Sequence, residues 1–137
     1  MSSNVQFLDP RKSQNNEIDS ILRNLMSIQG VSAAAIVDSD GFVTHIHRDF
    51  EINTDAIGAS VQVVFGAAAR AAQHVGHHST NMVICENSEG YILSTPIEAG
   101  FMLALVTQRE ALLGRVRFEW KETIPVLKRL FSSYLAN

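Results

Sequence analysis

Along EIDSILRNLMSIQG, residues 17–30, Ile18, Ile21, Leu22, Leu25 and Ile28 recur at three- and four-residue intervals, the period of one helix face, and Gly30 supplies a stop. VSAAAIVD then forms an almost unbroken apolar run. SDG is a hairpin-turn signal, and FVTHIH sets Phe42, Thr44 and Ile46 against Val43, His45 and His47. These predict two antiparallel strands, the second the more exposed. The loop RDFEINTD leads through Asn53 or Thr54, as N-cap, into a helix closed by Gly76. Three more strands are read at NMVICEN, YILSTPI and FMLALVT, with Gly90 and Gly100 where the chain reverses. In the closing segment Leu113, Val116, Trp120, Ile124, Leu127, Phe131 and Tyr134 share one stripe. That predicts a long helix, interrupted or kinked at Pro125, which has no backbone N–H to donate.

The order is α-β-β-α-β-β-β-α. VSAAAIV and FMLALV lack alternation and belong at the sheet centre, with helices over both faces and the alternating strands toward the edges. The expected fold is α/β (α+β), a three-layer sandwich about a central five-stranded antiparallel sheet. A chain of 137 residues, 46% hydrophobic, holds one core comfortably and two poorly. Residues 1–16 are polar and read as a flexible leader, and residues 17–137 as a single domain.

The helix AIGASVQVVFGAAARAAQHVG, residues 56–76, raises the functional question, because almost everything in it is small or apolar. At about 100° per residue, Ile57, Val61, Val64, Ala68, Ala72 and Val75 form a sheet-facing stripe, with Gln62, Arg70 and Gln73 roughly opposite. A further flank is built from Ala56, Ser60, Val63 and Ala67. A few hundred Å² of such surface left in water costs several kcal/mol at about 25 cal/mol per Å², comparable to the stability of a small domain. A second copy packed about a two-fold axis removes the cost. So would the first or last helix of the same chain.

A net charge of −3 and a pI near 5.9 give no reason to expect a nucleic-acid or anionic-lipid partner. Arg70 between two glutamines makes membrane insertion of the apolar helix costly, so none is expected. Cys85 is the only cysteine and excludes an intramolecular disulfide. The opening residues lack a basic start followed by an apolar run. Cytoplasmic residence is therefore the expectation.

Candidate chemistry is sparse. His45 and His47 share a strand face and His74, His77 and His78 cluster at a helix end, but no further ligand stands at metal-binding spacing, so they read as solvated loop and edge-strand histidines. DSDG lacks the remaining oxygen ligands of a calcium loop and reads as a turn. Cys85 has no histidine at a patterned distance and reads as a packing residue. There is no GxxxxGKS or GxxxxGKT loop. Arg70, Arg109, Arg115 and Arg117 are the available guanidiniums should a phosphoryl group need neutralising. No catalytic, cofactor or metal residue is assigned, and no enzymatic activity is expected.

GVSAAAIVDSDGFV, the small-residue helix, and EGYILSTPIEAGFMLALVTQREALLGRVRFE together resemble the Roadblock/light chain 7 family, and within it the bacterial MglB-type regulators of Ras-like GTPases. The likeness runs from about Glu17 to Trp120. It implies a profilin-like Roadblock fold and a homodimer in which the middle helices pair and the edge strands NMVICEN join two sheets. The implied dimer interface comprises Ala56, Ser60, Val63, Ala67, Arg70, Met82 and Ile84. The implied function is a non-enzymatic dimer that binds a small Ras-like GTPase and stimulates its GTP hydrolysis by reshaping the partner's switch loops. The alternative is a dimeric scaffold or adaptor with no effect on GTP turnover.

Overall fold

The computed structural model describes residues 10–136, with side chains from 13 to 133. Helix α1, Pro10–Met26, starts earlier than the apolar period indicates, on a proline suited to a helix's first turn. Residues 10–16 of the expected leader are therefore helical. Gln14 is buried and donates from Nε2 to Ser133 Oγ at 2.9 Å. A helix that extends through polar residues to meet another helix carries no stripe to announce it. Residues 1–9 lie outside the described part.

Strands β1 (Val31–Val37) and β2 (Val43–Arg48) form the first hairpin, and helix α2 spans Thr54–His74. Strands β3 (Val83–Glu86), β4 (Gly90–Pro96) and β5 (Met102–Gln108) follow, then helix α3, Leu113–Ala136. The sheet order is β2-β1-β5-β4-β3, every pair antiparallel. The two unalternating runs, β1 and β5, lie inside the sheet, and every residue of β1 is buried. The architecture is the expected three-layer sandwich.

One face carries two helices. Ile18, Leu22 and Leu25 of α1 and Val116, Trp120, Leu127 and Phe131 of α3 close over Ala34, Ile36, Leu93, Leu103 and Leu105. Helix α3 runs through Pro125 without interruption. Pro125 is exposed, so the carbonyl that loses its donor faces water. Tyr134 lies outside the described side chains.

Among the described residues the opposite face carries α2 alone, with Val61, Ile57 and Phe65 over Val37, Met102 and Ala104. Its N-cap is Asn53, whose Oδ1 accepts from Ala56 N at 3.1 Å. Gly58 is pressed so tightly to the β1–β2 turn that a Cβ there would sit 2.2 Å from the carbonyl oxygen of Gly41. Gln62, expected to point outward, instead donates from Nε2 to the carbonyls of Asp38 (2.8 Å) and Gly100 (2.9 Å). Two turns rise beside the helix here and leave carbonyls needing a donor. Val64 and Val75, expected on the sheet-facing stripe, are exposed, and only Gly58 and Val61 of α2 are buried. A 21-residue helix is about 31 Å long and a seven-residue strand about 24 Å, so the last turns of α2 run past the sheet.

Candidate interaction surface

Rows of side chains three and four apart on α2 bring Ala56, Ser60, Val63, Ala67 and Arg70 onto one outward surface, all exposed. Val63 is 69% exposed. Val64 adjoins this row, and Val75 extends the exposed apolar surface beyond the helix end at 67% exposed. Since α1 and α3 close the other face of the sheet, neither lies over this flank. Beneath α2, toward β3 and β4, a cavity of about 60 Å³ is lined by Ile57, Ser60, Val64, Cys85 and Ile92 among others. Helix α2 is thus loosely seated on that side of the sheet.

The edge strand β3 pairs only with β4, leaving its outer backbone groups unpaired within the sheet. Met82 and Ile84 turn their side chains to the α1/α3 face, where they pack partly buried against the larger core. Five of the seven expected interface residues therefore share one surface. The other two reach it only through the backbone of the edge. Val64, expected to face the sheet, and Cys85, read as a packing residue, flank the same region, and the signal that could have placed them there is the helical and strand alternation about Val61 and Ile84.

The histidines have other work. His47 Nε2 lies 3.2 Å from Asp19 Oδ1, and His45 Nε2 lies 3.1 Å from Asn15 Oδ1, with its Nδ1 2.9 Å from Thr44 Oγ1. They join β2 to α1 and are half-buried, a correction to the solvated reading. Burial holds the His45 imidazole below its ordinary value; Asp19 opposes that shift and His47 adds to it. His74, His77 and His78 are exposed. Among the described residues, no three of His, Cys, Asp or Glu gather where one metal ion could be held. Asp38 Oδ1 accepts from the N–H groups of Asp40 and Phe42, both at 2.9 Å, which commits that carboxylate to its turn.

Two of the four arginines have structural partners. Arg109 donates from Nη1 to the carbonyls of Asn87 (3.2 Å) and Ser88 (3.4 Å), tying down the β3–β4 turn. Arg115 Nε lies 3.7 Å from Glu119 Oε1, one turn along α3. Arg70 and Arg117 are exposed and make no ion pair among the described residues.

The described residues thus form a three-layer sandwich in which an unpaired edge strand lies beside an uncovered apolar helix. Residues 17–107 match the Roadblock/LC7 domain, and the chain belongs to that family. The uncharacterized proteins MJ0310 and MJ1340 of Methanocaldococcus jannaschii are each 26% identical to it over 114 residues, 83% of this chain and 99% of theirs. Myxococcus xanthus MglB superposes with a TM-score of 0.79 at 18% identity, covering 85% of this chain and 96% of MglB. The Roadblock/LC7 domain from Streptomyces avermitilis gives 0.73 at 19%, covering 87% and 98%. Likenesses at that identity establish the fold. Members of the family are typically non-enzymatic regulators or adaptors. No helix among the described residues is long and apolar enough to cross a membrane.

Proposed function

We propose that this protein is a non-enzymatic, cytoplasmic homodimer that binds a small Ras-like GTPase and stimulates its GTP hydrolysis. The observation that carries the reading is the outward face of α2, small or apolar from Ala56 to Ala67 and uncovered by any helix among the described residues. A second copy packing α2 against α2 buries that face, and pairing of the two β3 edges extends the sheet. The fold shared with MglB, which also occurs in a tetrameric arrangement, supports self-association, and the resemblance to MglB-type regulators supports a GTPase as client. Acceleration requires tighter binding to the hydrolysis-competent arrangement of the switch loops than to the resting GTP-loaded one, because only a differential affinity shifts the partner's conformations. Of the four candidate arginines, Arg70 and Arg117 have no hydrogen-bond or ion-pair partner among the described residues, but reshaping of the partner's switch loops needs neither.

Light scattering on the purified chain is expected to give twice the chain mass at micromolar concentration. A small GTPase encoded in a neighbouring reading frame is expected to hydrolyse GTP faster in its presence. A single-copy mass overturns the dimer. Binding with unchanged turnover replaces the regulator by the scaffold or adaptor.

A further inference from the structure

On the sheet face away from α2, a groove of about 640 Å³ opens between α3 and the ends of β3 and β4. Its walls include Met82, Trp120 and Ile124, and beside them Phe118 stands 61% exposed. Three cations, Arg117, Lys121 and Lys128, also line it, with no acidic residue among the lining. None of the three pairs with a carboxylate among the described residues. In a chain whose net charge is −3, that is a marked local reversal of sign.

Two buried polar groups lie in the same walls. Among the described residues the indole Nε1–H of Trp120 and the hydroxyl of Thr95 find no hydrogen-bond partner, although Trp120 is 2% exposed and Thr95 7%. A buried donor without an acceptor has lost its water and gained nothing in exchange, and such groups are uncommon in folded proteins. Nothing in the packing of α3 on the sheet requires a polar atom at either position, since Leu93 and Leu127 fill comparable sites with apolar groups. Both side chains line an open groove, so a small rotation as an occupant settles brings each donor to an acceptor.

We infer that this groove is a second docking site, for an acidic, apolar peptide segment of a partner protein. Aliphatic or aromatic side chains seat against Met82, Ile124 and Phe118. Main-chain or carboxylate oxygens accept from Trp120 and Thr95, and flanking Asp or Glu residues pair with Arg117, Lys121 and Lys128. Charge complementarity selects the partner, and the concave apolar floor favours side chains over a phosphate backbone. The groove lies on the sheet face away from α2, and since Met82 and Arg117 also line a pocket with the last turns of α2, the mass of every variant is measured beside its peptide affinity.

Trp120 is the only tryptophan, so its emission reports occupancy directly. Random-peptide display against the full chain is expected to enrich sequences that intersperse hydrophobic residues with Asp and Glu. The synthesised winner should shift Trp120 emission saturably and bind several-fold more weakly as salt rises from about 0.05 M to about 0.5 M. It should lose at least about tenfold in affinity to the Arg117→Glu/Lys121→Glu variant. Both positions are exposed, so that variant is expected to keep the wild-type mass and melting temperature, which separates failure here from failure of the dimer. The inference is overturned if the enriched peptides carry no acidic excess or if the reversed-charge variant binds them equally. It is also overturned if Trp120 responds to phosphatidylserine vesicles and to no peptide, which would make the groove a membrane contact.

Discussion

Gly58→Ala and Gly66→Ala are the same change in the same helix and should have opposite signs. Replacing a helical glycine by alanine ordinarily gains about 1 kcal/mol. At Gly66 nothing lies within 4 Å of the added methyl group, so that gain should appear nearly whole, as roughly 0.5–1 kcal/mol of stabilisation. At Gly58 the methyl carbon would sit 2.2 Å from the Gly41 carbonyl oxygen and 3.1 Å from its carbon. Both are backbone atoms of a tight turn whose Gly41 has φ +88°, and neither can swing aside. Relief means lifting the first turns of α2 off the sheet by about 1 Å, which strains the hydrogen bonds from Gln62 to Asp38 and Gly100. Overpacking of that kind costs about 3 kcal/mol. Offset by about 1 kcal/mol of helix propensity, the net loss is about 2 kcal/mol, or roughly 5–10 °C in melting temperature for a chain of this size. Urea and thermal unfolding followed by circular dichroism, at one protein concentration for all variants, measure both changes. Equal stability of the two variants would refute the claim that α2 is positioned by the contact between Gly58 and Gly41.

Val63→Glu is expected to leave the isolated fold within about 0.5 kcal/mol of wild type, because the side chain is exposed, while weakening self-association at least about 100-fold as two carboxylates enter one two-fold interface. Sedimentation over a concentration series reads the change, and an unaltered mass contradicts it. His45 titrates below its ordinary value when folded, so it favours the native state above about pH 6.5 and progressively less as acid protonates the unfolded chain first. His45→Gln should accordingly flatten the fall in melting temperature between about pH 7 and pH 5; an unchanged slope would show that other groups govern it. Gln62→Leu removes the donor shared by two turn carbonyls and should cost about 1–2 kcal/mol in urea unfolding.

Much of the fold is legible because each core element has only one environment. The continuous runs Val31–Val37 and Met102–Gln108 lie inside the sheet with helices on both faces, and Val116, Trp120, Leu127 and Phe131 lie on the single buried stripe of α3. The reading falters where an element meets two environments along its length. Helix α2 is pinned by turns at Gly58 and Gln62 and overhangs the sheet at Val75, so one apolar period covers positions with different fates. The start of α1 at Pro10 rests on a contact with Ser133, at the far end of the chain. The groove was half visible, since Arg117, Lys121 and Lys128 keep helical spacing beside the stripe that holds Trp120 and Ile124. Its other wall, Met82 and Thr95, becomes its neighbour only through the sheet order.

That sheet order also accounts for the uncovered helix face. Five strands at about 4.8 Å spacing make a sheet roughly 24 Å wide, and a helix covers about 10 Å of it, so each face needs two helices to be closed. One face has them in α1 and α3. The other has α2 alone, loosely seated toward the β3 side, where the cavity near Cys85 opens and Ile92 remains half-buried. Among the described residues that face is one helix short, and the shortfall lies next to the unpaired edge of β3. A second copy of the chain brings a matching α2 and a matching edge at once, whereas an unrelated partner would have to complement the two separately. In the proposed dimer the exposed valines of α2 become the inner face of a layer completed by the second copy. The small residues between them, Ala56, Ser60 and Ala67, set how closely the missing helix approaches.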